Sequence, residues 1–218
     1  MPETLLIATT NEGKLREIRE LLAGLPVGLR TLSDHPGIDA PEETGVTFAE
    51  NARQKALYYA AATGRTTVAE DSGLEVDALG GAPGVQSARF GGEDSTYPEK
   101  FALIYEGLRA AGVATSPARF VCALAVASPG QVIFETQGVV EGRIAPEPRG
   151  EGGFGYDPIF FYPPFGCTLA EAGARKSTVS HRGQAFRALR QMLELGTPTG
   201  SDPGVGPQGQ TPRKSGSG

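Results

Sequence analysis

Leu5-Leu6-Ile7-Ala8-Thr9-Thr10-Asn11-Glu12-Gly13-Lys14 is the stretch on which the fold turns. Four apolar residues followed at once by small and polar ones read as a short buried strand entering a loop. Beyond Lys14 the period changes, and Leu15, Ile18, Leu21 and Leu22 fall on one face of a helix. A helix that starts just behind a buried strand presents unpaired N–H groups and a positive dipole end, where anions bind. Lys14 adds a full charge, and Thr9, Thr10 and Asn11 add donors. The segment is not a Walker A loop, because the first glycine is missing and Leu15 stands where Ser or Thr should follow the lysine. Taken alone, it is best read as an ordinary helix start with Asn11 as the cap and Lys14 in solvent.

Strand and helix keep alternating outward from here. A strand is expected over 28–32, then a polar loop to Gly45. Thr47-Phe48-Ala49-Glu50 has capping-box spacing and opens a helix that groups Phe48, Ala52, Ala56 and Tyr59. Residues 66–69 read as a strand ending at Glu70-Asp71-Ser72-Gly73, and Pro98 as the first residue of another helix. The character then changes. Residues 119–127 and 131–140, split by Ser128-Pro129-Gly130, form an antiparallel hairpin. A Gly-rich turn, residues 150–157, leads to a short strand at 159–161, and Ser180 caps a last helix bearing Phe186, Leu189 and Leu193. The expected fold is α/β, an elongated mixed sheet in two lobes around a central cleft, over residues 1–196. From 197 to 218 the composition turns to Gly, Pro, Ser, Thr and Gln, and this tail is expected to be disordered.

Composition narrows the function. With 39% apolar and 21% charged residues in 218, the chain can bury a sizeable core. A net charge of −5 with no basic stretch argues against a nucleic-acid module, so an anionic ligand must be met by a few placed cations or a metal. No apolar run is long enough for a membrane span, and Met1-Pro2-Glu3-Thr4 lacks the features of a signal peptide. Cys122 and Cys167 are expected to be free thiols, which makes cytoplasm the default location.

The acidic pairs carry more information. Glu42-Glu43 sits in a loop before a helix, and Glu70-Asp71 is read at a strand end, where open α/β sheets bind ligands. One or two carboxylates plus phosphate oxygens suit Mg²⁺, although each pair alone is also a plausible solvated turn. Glu50 is explained by its capping position. Lys55 falls one turn later, near the cleft or exposed. His181, in the first turn of a helix, is disfavoured as an imidazolium by the dipole and can donate hydrogen bonds as a neutral ring beside Arg182. Gly153-Phe154-Gly155-Tyr156-Asp157 is a tight turn exposing aromatics and a carboxylate, suited to a flat base or simply to a core. Two histidines and two cysteines never reach zinc-ligand spacing, and neither G-x-S-x-G nor a Rossmann fingerprint is present.

In combination these segments resemble the inosine triphosphate pyrophosphatase-like family, house-cleaning enzymes that act on deaminated purine nucleotides. The matching blocks, in order, are 8–14, Glu42-Glu43-Thr44-Gly45 with 47–52, Glu70-Asp71-Ser72-Gly73-Leu74 running into 80–84, 153–158, and Ser180-His181-Arg182-Gly183. Thr10 stands where glycine or serine is common, and Glu70 where aspartate is frequent. The resemblance implies Mg²⁺-dependent cleavage of ITP, dITP and XTP between the α- and β-phosphates, giving a monophosphate and pyrophosphate. It implies that Thr9, Thr10, Asn11, Glu12, Gly13 and Lys14 bind the triphosphate and that Glu42 and Asp71 hold Mg²⁺. Asp71 is also implied as the proton acceptor for the attacking water, with Ser72 touching substrate. Phe154, Gly155, Tyr156, Asp157, Lys176, His181 and Arg182 are implied at the base, and a homodimer is expected. The rival readings are a pyrophosphatase of another base preference and a nucleotide sensor without turnover.

Overall fold

The computed structural model describes residues 3–195; the tail expected over 197–218 lies outside the described residues. Its elements are β1 (Thr4–Ile7), α1 (Glu12–Leu21), β2 (Gly28–Thr31), α2 (Phe48–Thr63), β3 (Thr67–Val76), α3 (Tyr97–Ala110), β4 (Pro117–Ser128), β5 (Gln131–Ile144), β6 (Phe160–Tyr162), β7 (Cys167–Thr168), α4 (Lys176–Val179) and α5 (His181–Leu195). Among the described residues, no helix is long and apolar enough to cross a membrane.

The strands form one mixed sheet in the order β2-β1-β3-β4-β5-β6-β7. β1 is parallel to β2 and β3, and every later pairing is antiparallel. Strand alternation divides the first lobe between two faces. Leu5, Ile7 and Val68 point to α1 and α5, where Ile18, Phe186 and Leu189 close over them. Leu6, Ala8 and Ala69 point to α2 and meet Phe48, Ala52 and Ala56. A third cluster, around α3 and the far half of the hairpin, joins Leu74, Ile104, Phe120, Val140 and Phe160. Burial of each large apolar side chain contributes about 1.5–3 kcal/mol, so β4, buried along nearly its whole length, ties the lobes together.

Most expected elements are present, with three differences. β3 does not stop at Ala69: β4 pairs with it from Thr67 to Val76, so Glu70 and Asp71 lie in mid-strand. The strand can run past Gly73 because a Cβ there would fall 2.2 Å from Ser87 Oγ, an approach only glycine allows. α3 begins at Tyr97, which places Pro98 second rather than first. Residues 157–159 form a 3₁₀ turn, and the strand begins one residue later than expected, at Phe160.

Candidate active site

β1 pairs with β3 at Leu6–Thr67 and Ile7–Val68, flanked by bonds from Leu6 N–H to Thr66 O at 2.9 Å and from Ala8 N–H to Val68 O at 2.8 Å. Past that point β3 outruns its parallel neighbour, and the loop after β1 opens a cleft over the carboxylates of β3. A crevice beyond the carboxyl end of β1 is thus present, although Glu70 and Asp71 do not end their own strand.

The first chamber, about 670 Å³, is lined among others by Thr9, Thr10, Asn11, Lys14, Glu42, Glu43, Lys55, Asp71, Ser72 and Arg89. Asn11 caps α1, its side chain accepting from Lys14 N–H at 3.0 Å. Lys14 is not in free solvent, as its Nζ lies 3.6 Å from Glu70 Oε1. On the opposite wall Lys55 Nζ donates to Glu43 Oε1 at 2.8 Å and to Asp71 Oδ1 at 3.3 Å. Arg89 donates to Glu43 Oε2 at 2.7 Å. Burial would raise the Glu43 pKa, but Lys55 and Arg89 hold it below the ordinary carboxylate value. Burial alone would lower the Lys55 pKa; Asp71 and Glu43 raise it, so Lys55 is a cation. Glu42 lines the same chamber but is exposed, so Glu43 is the residue that shares a cation with Asp71. Among the described residues, no three His, Cys, Asp or Glu side chains group to hold a metal. A pair of carboxylates facing an open chamber still fits a hard cation whose other ligands are phosphate and water.

The second chamber is smaller, about 90 Å³, and is lined by Phe120, Phe154, Gly155, Tyr156, Asp157, Lys176, His181 and Arg182, among others. Gly153 and Gly155 take positive φ, which turns the chain sharply there. The turn does not expose its aromatics as expected: Tyr156 is buried in the second lobe, its hydroxyl on Ser87 O at 2.8 Å, and Phe154 alone is half-buried. Asp157 is buried too, accepting from Phe154 N–H at 2.8 Å and Lys176 Nζ at 2.7 Å. Burial pushes its pKa up despite these partners. His181 stacks on Phe120 at 4.9 Å between ring centroids. Burial first, and Arg182 second, depress its pKa well below 6.5, so the ring is neutral, as its place at a helix start predicts. Its Nδ1 finds no partner among the described residues.

Arg182 is spent inside the protein. Nε donates to Glu70 at 2.7 Å, Nη1 to Glu17 at 2.7 Å and Nη2 to Ser72 Oγ at 3.1 Å. Lys176 also reaches Glu17, at 3.0 Å. Both cations stand near the Phe154 ring, at 4.6 Å for Lys176 and 5.5 Å for Arg182. Glu17 was not singled out by sequence reasoning, nor were Asn51 and Arg89. A visible sign was present for Glu17, which follows Lys14 by three and so shares its side of α1. Gly13 also packs against the turn, since a Cβ there would lie 3.2 Å from Phe154 Cγ. Glu12 lies in the first turn of α1 and does not line either chamber.

What fold and site define is a mixed α/β protein with a cleft of two chambers, one lined by carboxylates and cations and a smaller one lined by aromatic rings with Asp157, Lys176 and Arg182. The chain belongs to the Ham1 family, whose sequence model matches residues 5–192. It is 50% identical over 198 residues to a dITP/XTP pyrophosphatase of Gloeobacter violaceus, covering 90% of this chain and 97% of that one. A dITP/XTP pyrophosphatase of Thermus thermophilus is 48% identical over 194 residues, covering 88% and 93%. A solved HAM1 protein from Coxiella burnetii superposes with a TM-score of 0.83 at 40% identity, over 88% of this chain and 99% of the other.

Proposed function

We propose that this chain hydrolyses dITP, ITP and XTP to the nucleoside monophosphate and pyrophosphate, clearing deaminated purines from the nucleotide pool. One observation carries the reading. Asn11, Lys14 and Ser72 line both chambers, so a single ligand with an anionic end and a flat end can occupy both. The relatives' names supply the substrate class.

The α1 N-terminus with Lys14, Lys55 and Arg89 would neutralise the triphosphate. Mg²⁺ would be held by Asp71 together with Glu43 or Glu42 and by phosphate oxygens, and it would supply charge neutralisation at the phosphorus under attack. Asp71, whose Oδ atoms face Lys55 and Asn51, is the candidate to take the proton of the attacking water. The neutral His181 offers a donor to a 6-oxo group. Adenine would set its 6-amino donor against that N–H, at a cost of about 1–3 kcal/mol for the unpaired groups. With its guanidinium committed to Glu70, Glu17 and Ser72, Arg182 supports the base chamber by fixing its wall. The homodimer implied by the resemblance and the cytoplasmic location suggested by two free thiols belong to the same proposal, and light scattering tests the dimer.

The test is pyrophosphate release from dITP, XTP, GTP and ATP in parallel, with Mg²⁺ and with EDTA. Strong preference for dITP and XTP with loss in EDTA is expected. A flat base preference would overturn the base assignment, and orthophosphate as the first product would overturn the bond assignment. Tight nucleotide binding without turnover would favour the sensor.

A further inference from the structure

Asn51 sits in the first turns of α2, 1% exposed among Ala52, Ala56 and Phe48, a place where an amide lowers helix propensity and needs partners. It has two. Its Oδ1 accepts from Gly45 N–H at 2.8 Å, and its Nδ2 donates to Asp71 Oδ2 at 3.0 Å. The Gly45 donor fixes the amide, because an N–H can meet only its oxygen, so the NH₂ must face Asp71. Lys55, one turn further along the same helix face, takes the other oxygen of Asp71 and also Glu43. The α2 helix thus holds Asp71 at two points and grips the acidic loop at three more, the third being Thr44 Oγ1 donating to Gln54 Oε1 at 3.4 Å.

Gly45 fits the same design. Its φ is not in the left-handed region, so no turn demands glycine there. Contact does: a Cβ would lie 2.6 Å from Asn51 Oδ1 and 2.8 Å from Glu50 Cβ. We infer that Asn51 is a positioning residue whose amide sets the distance between the acidic loop at 42–45 and Asp71, the two sources of carboxylate for a divalent cation. The inference rests on the metal reading above and adds the residue that fixes its geometry. Groups that orient metal ligands without touching the metal typically change affinity by about 10–100-fold when removed.

The experiment uses Asn51→Leu, Gly45→Ala and Asp71→Asn in the full chain. Calorimetry follows binding of α,β-imido-dITP as Mg²⁺ is varied, and thermal midpoints are taken without metal or nucleotide. Asn51→Leu and Gly45→Ala are each expected to raise the Mg²⁺ concentration for half-maximal binding about tenfold or more. A purely structural role would lower the midpoint and leave that concentration where it is, which overturns the inference. If Asn51→Leu does not fold, Gly45→Ala decides alone. Should Asp71→Asn leave the Mg²⁺ concentration for half-maximal binding at the wild-type value, the metal reading itself fails; should it raise that concentration while the other two do not, only the role of Asn51 fails.

Discussion

Glu70 and Asp71 are consecutive residues of β3, yet the first points towards α1 and α5, where Arg182 and Lys14 hold it, and the second towards α2, where Asn51 and Lys55 meet it. Their side chains are 2% and 10% exposed. The period of two along a strand sends neighbours to opposite faces, so an acidic pair in mid-strand cannot be two ligands of one ion on one face. Glu70 becomes the counter-ion of a buried network that also includes Cys122, whose thiol donates to it at 2.9 Å. Burial works against its charge, but Arg182 and Lys14 drive its pKa well below the ordinary value. Both residues line the first chamber, and Asp71 is the more exposed of the two. Glu70 builds the wall, and Asp71 is the one proposed above for the chemistry.

Asp71→Asn breaks this division hardest if it is right. Turnover is expected to fall by at least about a hundredfold, up to about 10⁴-fold, with the thermal midpoint within a few degrees of wild type. Pyrophosphate release and a melting curve on the same preparation check both halves. Near-normal rates would remove Asp71 from the chemistry.

Glu70→Gln should fail in the opposite way. It leaves the Arg182 charge, 1% exposed, with Glu17 as its one remaining ion-pair partner among the described residues. Breaking one side of a buried pair costs about 3–5 kcal/mol, so urea unfolding should show a loss of roughly that size. The folded fraction should keep far more activity than Asp71→Asn retains. A variant of native stability and no turnover would instead put Glu70 among the catalytic residues.

This contrast also marks what the sequence made legible. The α/β class, the Asn11 and Ser180 caps and the long hairpin are set by local signals, namely apolar period, cap chemistry and turn residues, whereas the meeting of Thr9, Lys14, Asp71, Phe154, Lys176 and His181 around one cleft was implied only by the family resemblance. The extent of β3 was not legible, because Glu-Asp-Ser-Gly reads as a turn and only pairing with β4 keeps it extended. Arg182 was implied at the base, and nothing in the sequence showed that Glu17 and Glu70 consume it, because long-range ion pairs leave no periodic trace. Glu43 was no more distinguishable from Glu42 than two adjacent acids in a loop ever are, until Lys55 and Arg89 were placed.

The two sides of the site should also separate by pH. His181, next to the Glu70 network, has a folded pKa well below its unfolded value of 6.5, so below that pH the unfolded chain binds the extra proton. Stability contributed by the neutral ring is therefore complete above about pH 6.5 and declines as pH falls. Between pH 7 and pH 5 the wild-type protein should therefore lose stability that a variant without the ring keeps. Glu70 is lowered from 4.5, so its contribution persists until the pH drops below that value. Subtracting the unfolding curve of His181→Gln from that of wild type over pH 5–7 isolates the His181 part. Parallel curves would mean that the ring is not buried neutral.

The smallest effect is expected at Glu50, the acid next to Asn51 in sequence and the one that local capping rules explain. Its carboxylate accepts from Val46 N–H at 2.8 Å and Thr47 N–H at 3.3 Å, while Thr47 Oγ1 accepts from Glu50 N–H at 3.2 Å. That reciprocal box satisfies donors at the start of α2, and Glu50 lines neither chamber of the cleft. Gly45, one residue before, is held separately by Asn51, so the acidic loop keeps its anchor when the box is cut. Glu50→Ala should therefore cost about 1 kcal/mol in unfolding free energy and change turnover by less than about twofold. A loss of turnover comparable with that of Asp71→Asn would mean that the cap, and not the Asn51 amide, holds the acidic loop in place.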